Sequence, residues 1–529
     1  MHSLNTEIRN KRDHKAVILI KENTMNIPKP IALAAAMFFV TTLAATNYYI
    51  SNSGNNNNSG LSQQNAFQTI QHAAGLVSAG DTVFVANGTY AGFDLREANG
   101  IEANPIVFKA LGDAVLVNQP GPIRNDGINI EDCSYIVIDG FKANNMPGNG
   151  NGIRVVLSDF CVVRRCSCDN NAERGIFTAF TDDILIEYNV CTNSVDEHGI
   201  YVSNSSDRPI VRNNVCYGNN NIGIHFNGDL SAGGDGIISD AQVYGNIIYD
   251  NNQAAGINMD GVENPIIYNN LIYNNHFGQG IALFQQDGAI PSRGAKIYNN
   301  TIIVPPDGRW GILVKEGSNA GTIIYNNIII NQHQWRGCIA LDNTVGFISN
   351  YNILNDKMSA DGDGSAVPLG TWQALGFDLN SILADAPEEI FIDDDAGDFH
   401  LKAGAQAINA GTGLVQNIVE DDLEGHPRPI GAAYDIGAYE FGTPTGLANV
   451  EAGTVKLFPN PASDFIVLDL QASNLTAKEI RLLSLKGEFV RQFPPDSQSL
   501  NIGGITKGAY FLEISLKDGR QLLEKVIVH

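Results

Sequence analysis

The sequence is poor in positive charge. Lysine and arginine together number 33, against 57 aspartates and glutamates, and the formal net charge is −24. Nucleic-acid binding depends on a surplus of cations that displaces phosphate counterions, so this balance excludes a nucleic-acid partner. An acidic substrate would have to meet a local basic patch against the average field of the protein.

Cysteines are few and irregularly spaced, at positions 133, 161, 166, 168, 191, 216 and 338. An odd number without compact spacing does not form a disulfide framework. Cys166 and Cys168 have no second pair at ligand distance, which argues against a zinc site. The sequence therefore predicts neither a disulfide scaffold nor a structural metal.

Long apolar runs are also scarce, and the single one lies near the amino terminus. "MNIPKPIALAAAMFFVTTLAA" starts at Met25 with one lysine before its apolar run and ends in small residues. This pattern is typical of a secretory signal and is too short for a membrane anchor. We expect residues 1–45 to be a leader, with the signal peptide at 25–45 and translation starting at Met25 or Met1. No transmembrane segment is expected in the mature chain.

A Gly-Ile step or its equivalent recurs along the middle of the chain at intervals of 23, 24, 24, 33, 24 and 31 residues. Its glycines are Gly152, Gly175, Gly199, Gly223, Gly256, Gly280 and Gly311. A second mark, as in "VRNNVC" and "IYNNLI", has nearly the same period. Its asparagines are Asn189, Asn214, Asn246, Asn270, Asn300 and Asn327. Two independent marks with one shared period indicate a solenoid.

Short β-branched runs with alternating polarity, broken by Asn and Gly, make the solenoid a β-structure, since no stretch has helical periodicity. Stacked coils at about 4.8 Å pair every backbone group with a neighbouring coil. An asparagine at a fixed turn can hydrogen-bond to the same amide one coil away. Cys168, Cys191 and Cys216 occupy the inward column that isoleucines fill in later coils, so we expect a buried stack of thiols.

These marks resemble the right-handed parallel β-helix family, in particular its secreted carbohydrate-active members, over residues 46–442. "NPIVFKALGDAVLV" and "YIVIDGFKANN" are similar to the first coils of chondroitinase-B-like and alginate-lyase-like branches. The resemblance implies an all-β, single-stranded parallel β-helix. It implies an N-terminal cap with first coils at 46–125, central coils at 126–360 and a closing segment at 361–442.

The carboxyl end resembles a different module. After a small-residue linker at 443–453, residues 454–529 contain "LFPNPA", a Lys-Gly turn and "GAYFLEI", and they alternate like a small antiparallel sandwich. They are similar to the C-terminal sorting domain of the type IX secretion system. The resemblance implies that the secretion machinery is a partner and that the protein is secreted or attached to the cell surface. A carbohydrate-binding or fibronectin-like sandwich is the alternative.

Outward-facing positions after each Gly-Ile step form two columns along the stack, since side chains alternate along a strand. The first column holds Arg154, Phe177, Tyr201, His225, Asn258, Ala282 and Leu313. The second holds Val156, Ala179, Ser203, Asn227, Asp260, Phe284 and Lys315. Outward residues of a solenoid are commonly polar, but here the polar and aromatic ones concentrate in the central coils. This gradient predicts a site there.

One interpretation is a lyase or C5-epimerase acting on a uronate polysaccharide, such as alginate or pectate. Removing the proton beside a carboxylate requires charge neutralisation, a base and an acid. We predict His225 or His198 as the base, Tyr201 as the acid, and Arg154 or Arg174 as the carboxylate clamp. "DEHGIY" is loosely similar to an Asp-Pro-His stretch of alginate epimerases, but the proline is absent and the order differs, so no roles are transferred.

Further residues are predicted to bind substrate or calcium. The predicted substrate-binding residues are Phe177, Asn227, Asn258 and Lys315. Carboxylate oxygens are ligands that Ca²⁺ prefers, and the predicted calcium ligands are Glu197, Asp229 and Asp260. No other cofactor is expected, and the protein is expected to be a monomer.

Two alternatives stay open at this stage. A glycoside hydrolase would use two of the carboxylates Glu197, Asp229 and Asp260 on either side of the glycosidic bond. A non-catalytic glycan-binding protein or adhesin would use Phe177 and Tyr201 to stack on sugar rings. Fold alone does not decide between these functions or establish that the protein is an enzyme.

Overall fold

The computed structural model describes residues 45–442 and, towards the carboxyl end, residues 456–458, 462, 465–469, 477–484, 489–495, 497, 499–517 and 521–528. The predicted leader up to residue 44 and the predicted linker lie outside the described residues. Within the described residues, no helix is long and apolar enough to cross a membrane.

Residues 47–401 form short strands separated by turns. In chain order the strands are β1 (Asn47–Ile50), β2 (Thr82–Val85), β3 (Gly88–Ala91), β4 (Phe93–Arg96), β5 (Ile106–Ala110), β6 (Val115–Gln119), β7 (Ile128–Glu131), β8 (Ile136–Asp139), β9 (Lys142–Asn144), β10 (Ile153–Val156), β11 (Val162–Arg164), β12 (Ser167–Asp169), β13 (Ile176–Ala179), β14 (Leu185–Glu187), β15 (Val190–Thr192), β16 (Ile200–Ser203), β17 (Ile210–Arg212), β18 (Val215–Tyr217), β19 (Ile224–Asn227), β20 (Ile238–Ser239), β21 (Gln242–Tyr244), β22 (Ile247–Tyr249), β23 (Ile257–Asp260), β24 (Val262–Glu263), β25 (Ile266–Tyr268), β26 (Leu271–Tyr273), β27 (Ile281–Phe284), β28 (Lys296–Tyr298), β29 (Thr301–Val304), β30 (Ile312–Val314), β31 (Ile323–Tyr325), β32 (Ile328–Asn331), β33 (Ile339–Leu341), β34 (Ile348–Asn350), β35 (Ile353–Leu354), β36 (Ile382–Leu383), β37 (Phe391–Asp393) and β38 (Asp398–Leu401).

The strands build three long parallel sheets, each of which takes one strand from successive coils. Sheet I has the order β1-β2-β5-β8-β11-β14-β17-β21-β25-β28-β31-β34, sheet II the order β33-β30-β27-β23-β19-β16-β13-β10-β7-β4, and sheet III the order β3-β6-β9-β12-β15-β18-β22-β26-β29-β32-β35-β36. The fold is the right-handed parallel β-helix that the sequence predicts. Since each coil pairs with the next in register, residues one coil apart in sequence become direct neighbours.

The predicted asparagine ladder is present. In each coil the side-chain oxygen of one asparagine accepts from the backbone N–H and the side-chain amide of the asparagine one coil earlier. For Asn246, these donors are the backbone nitrogen and Nδ2 of Asn214, both at 3.0 Å. Every member is buried, so the ladder pairs polar groups that would otherwise be costly inside the coil.

The cysteines are part of the core, as predicted. Cys168 pairs in register with Cys191, Cys191 with Cys216, and Cys216 with Ile248. All seven cysteines are free and buried. Cys168, Cys191 and Cys216 act as small apolar side chains in a column that isoleucine continues.

Helices are short and lie outside the three sheets. They are α1 (Ile70–Ala74), α2 (Leu369–Ala374) and α3 (Pro387–Ile390), with 3₁₀ turns at Gln63–Asn65, Leu230–Ala232, Asp394–Ala396 and Gly413–Val415. Thr69 caps α1, since its side chain accepts from the backbone of His72. Ile70 and Ala73 of α1 join the core of the first coils.

The segment after the last coil covers the outer faces of two sheets. Phe391, Phe399 and Tyr439 pack on sheet III around Ile328. On sheet I, the segment packs against Tyr268 and other tyrosines of the outer face. Among the described residues, no hydrophobic cluster joins this segment to the outer face of sheet II.

The carboxyl-terminal unit contains two antiparallel sheets. Its strands are β39 (Lys456–Phe458), β40 (Phe465–Asp469), β41 (Ala477–Ser484), β42 (Phe489–Phe493), β43 (Ser499–Asn501), β44 (Gly508–Leu516) and β45 (Gln521–Val528). The sheet orders are β39-β40-β43 and β42-β41-β44-β45. Ile466 and Leu500 of one sheet share a core with Ile480, Leu482 and Leu512 of the other. The unit is therefore the small sandwich that the alternation predicts.

Candidate active site on sheet II

The outward column on sheet II is built as the sequence predicts. Parallel pairing joins Arg154 to Phe177, Phe177 to Tyr201, Tyr201 to His225, and His225 to Asn258. Consecutive members therefore lie about 4.8 Å apart along the stack. We call the residues from Arg154 to Asn258 in this column the sheet II strip.

Two histidines, one from the strip and one from the turn before it, lie in contact. His198 Nε2 lies 3.0 Å from His225 Nδ1 and 2.9 Å from Glu197 Oε2. The backbone N–H of Ile222 donates to His198 Nδ1 at 3.3 Å. Since His198 Nδ1 accepts, the neutral ring has its proton on Nε2, between the carboxylate and the second imidazole.

This arrangement determines which nitrogen of His225 carries a proton. Because His198 Nε2–H faces His225 Nδ1, the latter is an acceptor, and the proton of neutral His225 is on Nε2. His225 Nε2 is buried and has no hydrogen-bond partner among the described residues. His225 is thus a neutral donor whose partner is missing.

Burial keeps both rings neutral. It lowers the pKa of His198 below 6.5 and that of His225 well below 6.5, and the nearby Arg174 guanidinium acts in the same direction. The hydrogen bond from His198 lowers the pKa of Glu197, which therefore stays ionised. At neutral pH, Glu197 is a carboxylate, His198 is a neutral imidazole between the other two groups, and His225 is a neutral hydrogen-bond donor.

Tyr201 stacks on His225, with ring centroids 4.8 Å apart and planes 17° apart. Its hydroxyl accepts from Asn227 Nδ2 at 3.1 Å, and the same amide reaches Asp287 Oδ2 at 3.3 Å. Burial raises the pKa of Tyr201 above 10.0, so the phenol is protonated at neutral pH. The site contains a protonated hydroxyl beside a neutral imidazole.

Arg174 supplies the positive charge. Its Cζ lies 4.9 Å from the ring centre of Tyr201 and 5.1 Å from that of Phe177. It pairs with Glu173 at 3.1 Å and with Glu197 at 3.5 Å. Its Nε is buried without a partner among the described residues. The guanidinium therefore has donor capacity that the described residues do not use.

Arg154, the other predicted clamp, lies in register with Phe177 but is enclosed by neighbouring side chains. It is 5% exposed, and its NH1 group donates to Asn129 at 2.7 Å and to Glu131 at 3.1 Å. Asp126 lies 4.0 Å from its Nε. Its charge is used within the protein, so of the two predicted clamps Arg174 has the freer donors.

The remaining predicted substrate-binding residues are spread along the stack. Phe177 and Asn258 flank Tyr201 and His225 in register and are half-buried. Lys315 follows β30 three coils beyond His225 and pairs with Asp342 at 2.8 Å. The structure therefore brings Phe177, Asn227 and Asn258 to the site but not Lys315.

The three predicted calcium ligands have separate partners. Asp260 is 1% exposed and accepts from the backbone amides of Gln286, Asp287 and Gly288. Asp229 caps the turn at Leu230–Ala232, and Glu197 holds His198. Within the described residues no group of three His, Cys, Asp or Glu side chains is placed to hold a metal ion. Calcium binding stays a prediction.

Sequence reasoning missed Asp287 and Glu173. Asp287 comes from an inserted loop and contacts Asn227, although the two residues are 60 positions apart in the sequence. The backbones of two inserted loops are joined, since Leu230 donates to the Asp287 carbonyl and Ala289 to that of Gly236, both at 2.9 Å. The 33- and 31-residue intervals between Gly-Ile steps are longer because they contain these loops, but no interval predicts the contact between them.

Comparisons with known proteins agree with the two-part organisation. Residues 74–279 match the family model described as periplasmic copper-binding protein (NosD), and residues 456–529 match the secretion system C-terminal sorting domain. The chain thus consists of a β-helix followed by a type IX sorting domain. No curated protein sequence matches the chain.

Solved structures that are similar to the chain include the following three. Pectate lyase Pel9A matches with a TM-score of 0.50 at 14% identity, covering 75% of this chain and 96% of that one. A rhamnogalacturonan lyase matches at 0.45 and 13%, covering 56% and 84%. PfbA, a surface adhesin of Streptococcus pneumoniae, matches at 0.43 and 11%, covering 55% and 84%. Likeness at this identity shows the fold and leaves the chemistry to the site.

The matching family is described as copper-binding, but the described residues of this chain offer no suitable set of copper ligands. The two imidazoles of the site bond to each other, and His198 also bonds to Ile222 and Glu197. The thiols lie in the core, and burial raises the pKa of Cys133 to about 11 and that of Cys166 to about 12. A copper centre needs deprotonated or free soft ligands that these residues do not offer.

Proposed function

We infer from the sorting domain that the chain is a substrate of type IX secretion, and this export is the premise for its place of action. We propose that the exported protein acts on an acidic, uronate-containing polysaccharide by β-elimination or C5-epimerisation. The observation that carries the proposal is the meeting of Arg174, Tyr201 and His225 on sheet II. These are a cation, a protonated hydroxyl and a neutral donor on the sheet face that the closing segment leaves uncovered.

Both reactions start by removing the proton beside the uronate carboxylate. The resulting enolate-like charge must be stabilised by groups already in position. Arg174 carries the positive charge beside Tyr201 and Phe177 that would pair with the carboxylate. His225 Nε2 carries a proton but is buried, so it can donate to the same group only after the covering side chains move. A neutral imidazole in that position polarises an oxyanion without giving up its proton.

The base is reassigned relative to the sequence prediction of His225 or His198. Both nitrogens of His198 have partners in the structure, and the partnerless nitrogen of His225 carries a proton. Asp287 is exposed and lies one amide away from the Tyr201 hydroxyl through Asn227. We assign Asp287 as the base that accepts the C5 proton.

Tyr201 completes the proton balance. In elimination, its hydroxyl gives a proton to the leaving glycosidic oxygen as the C–O bond breaks and the C4–C5 double bond forms. In epimerisation, it returns a proton to C5 from the opposite face, and no bond of the chain breaks. Burial, which raises the pKa of Tyr201, keeps the proton available until the transition state needs it.

The experiment is to incubate the secreted protein with polygalacturonate, alginate, chondroitin and dextran, with and without EDTA. New ultraviolet absorbance of unsaturated uronate indicates elimination, and altered uronate composition in intact chains indicates epimerisation. Either supports the proposal. Reducing ends without absorbance would indicate hydrolysis, and no change in any polymer would indicate binding alone, and either would overturn it. Loss of activity in EDTA would indicate calcium at the site.

A further inference from the structure

A second cluster of exposed aromatic and cationic side chains lies outside the sheet II strip. We define the Trp335 cluster as Arg309, Trp335, Arg336, Lys357 and Asp363. Trp335 is 42% exposed, and Arg336 Cζ lies 4.3 Å from its ring centre. The Trp335 ring also meets Trp310 edge-on, with centroids 6.2 Å apart. A large aromatic ring is thus held in a fixed orientation while much of its surface faces solvent.

Hydrogen bonds fix the turn that presents the ring. His333 Nδ1 accepts from the backbone of Trp335 at 3.2 Å and of Arg336 at 3.1 Å. Lys357 Nζ donates to the carbonyl oxygens of His333 at 3.0 Å and Gln334 at 2.7 Å. The cluster therefore loses little conformational freedom when it binds a ligand.

The charge of the cluster is opposite to that of the chain. Arg336 pairs with Asp363 at 2.9 Å and Arg309 pairs with the same carboxylate at 3.7 Å, while Lys357 binds backbone oxygens. Arg309 and Arg336 thus share one carboxylate, and Lys357 adds a third cation, in a protein whose formal net charge is −24. A local positive field of this kind favours an anionic ligand.

The cluster lies on the same edge of the β-helix as Arg174 and His198. Arg174, His198, Arg309, Trp335 and Arg336 occupy the turns that lead from sheet III to sheet II. The turns stack through backbone hydrogen bonds, from Gly175 to His198 and finally from Cys338 to Lys357. Trp335 lies five coils beyond His198, which is about 24 Å along the axis.

Between His198 and Trp335, this edge of the β-helix has another exposed aromatic ring. Phe277 is 61% exposed and lies in the turn before β27. A chain that runs along the edge from Tyr201 would pass Phe277 before it reaches Trp335. Sugar rings stack on aromatic side chains, while carboxylates pair with arginine, so such an edge fits a linear acidic polysaccharide.

We propose that the Trp335 cluster is a distal subsite that binds an acidic sugar of the chain whose reacting unit lies at Tyr201. The inference rests on the proposed function for the identity of the reacting unit. Trp335 would stack on the sugar ring, and Arg309, 46% exposed, would pair with the uronate carboxylate.

The test measures binding and turnover separately on the full chain. Trp335→Ala and Arg309→Ala are compared with Tyr188→Ala and Arg165→Ala, which alter exposed side chains in the turns between sheets I and III. Affinity electrophoresis in polygalacturonate, alginate and dextran gives dissociation constants. We expect the two cluster variants to bind the acidic polymers about tenfold more weakly, the controls to match the unaltered protein, and dextran not to bind.

Turnover supplies the second readout. Oligosaccharides too short to reach from Tyr201 to Trp335 should be processed at the same rate by all variants, whereas KM for the long polymer should rise in the cluster variants. Unchanged binding in both cluster variants would overturn the subsite, and so would an equal loss of binding to dextran. If the cluster variants lose binding to acidic polymers but no variant turns over any substrate, the subsite stands and the proposed chemistry fails.

Discussion

His198 Nε2 lies 3.0 Å from His225 Nδ1, and the two rings belong to neighbouring coils, 27 residues apart in sequence. The backbone of Ile222 determines the tautomer of His198, and His198 in turn determines that of His225. A contact between two coils thereby decides that Nε2 of His225 carries the proton and is a donor, not an acceptor.

Removing the Tyr201 hydroxyl tests the proton donor. Tyr201→Phe keeps the ring that stacks on His225 and loses the hydroxyl that accepts from Asn227 Nδ2. We expect kcat to fall by roughly 10²–10⁴ if Tyr201 is the general acid. The free energy of unfolding should fall by about 1 kcal/mol. Steady-state kinetics and urea denaturation measure the two effects. A variant with full activity would mean that Tyr201 does not transfer the proton.

The pH dependence of stability tests the buried histidines. Both have pKa values below 6.5 in the folded protein, so the unfolded chain binds more protons as pH falls below 6.5. Stability should therefore be complete above pH 6.5 and fall as pH decreases towards the lowered folded values. The double variant His198→Gln, His225→Gln should show a shallower loss of Tm between pH 7 and pH 5.

The carboxylates Glu197 and Glu173 beside the sheet II strip also titrate at acidic pH. The test therefore compares the double variant with the unaltered protein. Glu197 has a lowered pKa and loses its contribution as pH falls, whereas the raised pKa of Glu173 has the opposite effect. Both carboxylates are retained in the double variant, but Glu197 loses the hydrogen bond from His198 that lowers its pKa, which also makes the acid-linked loss of stability shallower. Parallel Tm curves for the double variant and the unaltered protein would contradict the assignment of neutral histidines.

Asp260 is expected to act as a positioning residue for the inserted loop. Its carboxylate accepts three backbone N–H groups from Gln286, Asp287 and Gly288. Asp260→Asn places an amide donor opposite these donors, so the loop should detach and carry Asp287 away from Asn227. We expect a loss of about 3 kcal/mol in unfolding free energy and a fall in kcat with little change in KM.

Asp235→Asn is a suitable control, because Asp235 is exposed in the neighbouring inserted loop and accepts only from the backbone of Ile237 among the described contacts. Hydrogen exchange of residues 285–292 should increase in Asp260→Asn alone. Slow exchange together with lost activity would instead place Asp260 in the chemistry itself.

The asparagine ladder predicts where the fold is most sensitive. Asn246 is buried and exchanges hydrogen bonds with Asn214 and Asn270. Asn246→Ala removes the acceptor of the buried backbone N–H of Asn214 and one acceptor of its Nδ2, and it removes the side-chain donor to the Val211 carbonyl, at about 1–3 kcal/mol for each group. Denaturant titration should show a loss of at least about 3 kcal/mol, against almost none for the exposed Asn252→Ala. Equal stability of the two variants would contradict a structural role for the ladder.

The coil and its interior were predictable from the sequence for a local reason. Side chains alternate along each strand, and one repeat of Gly, Ile and Asn recurs, so the inward column and the register of the outward column both follow from counting residues. The sequence therefore predicts Arg154, Phe177, Tyr201 and His225 in the order in which the structure pairs them.

Tertiary structure alone decided how these side chains are used. Arg154 is enclosed by residues of an earlier coil, and Asp287 reaches Asn227 from an inserted loop whose path no periodicity describes. The proton positions of His198 and His225 depend on a backbone amide one coil away. A repeat specifies which residues become neighbours, whereas burial, loop packing and hydrogen-bond donors outside the repeat determine their charge and availability.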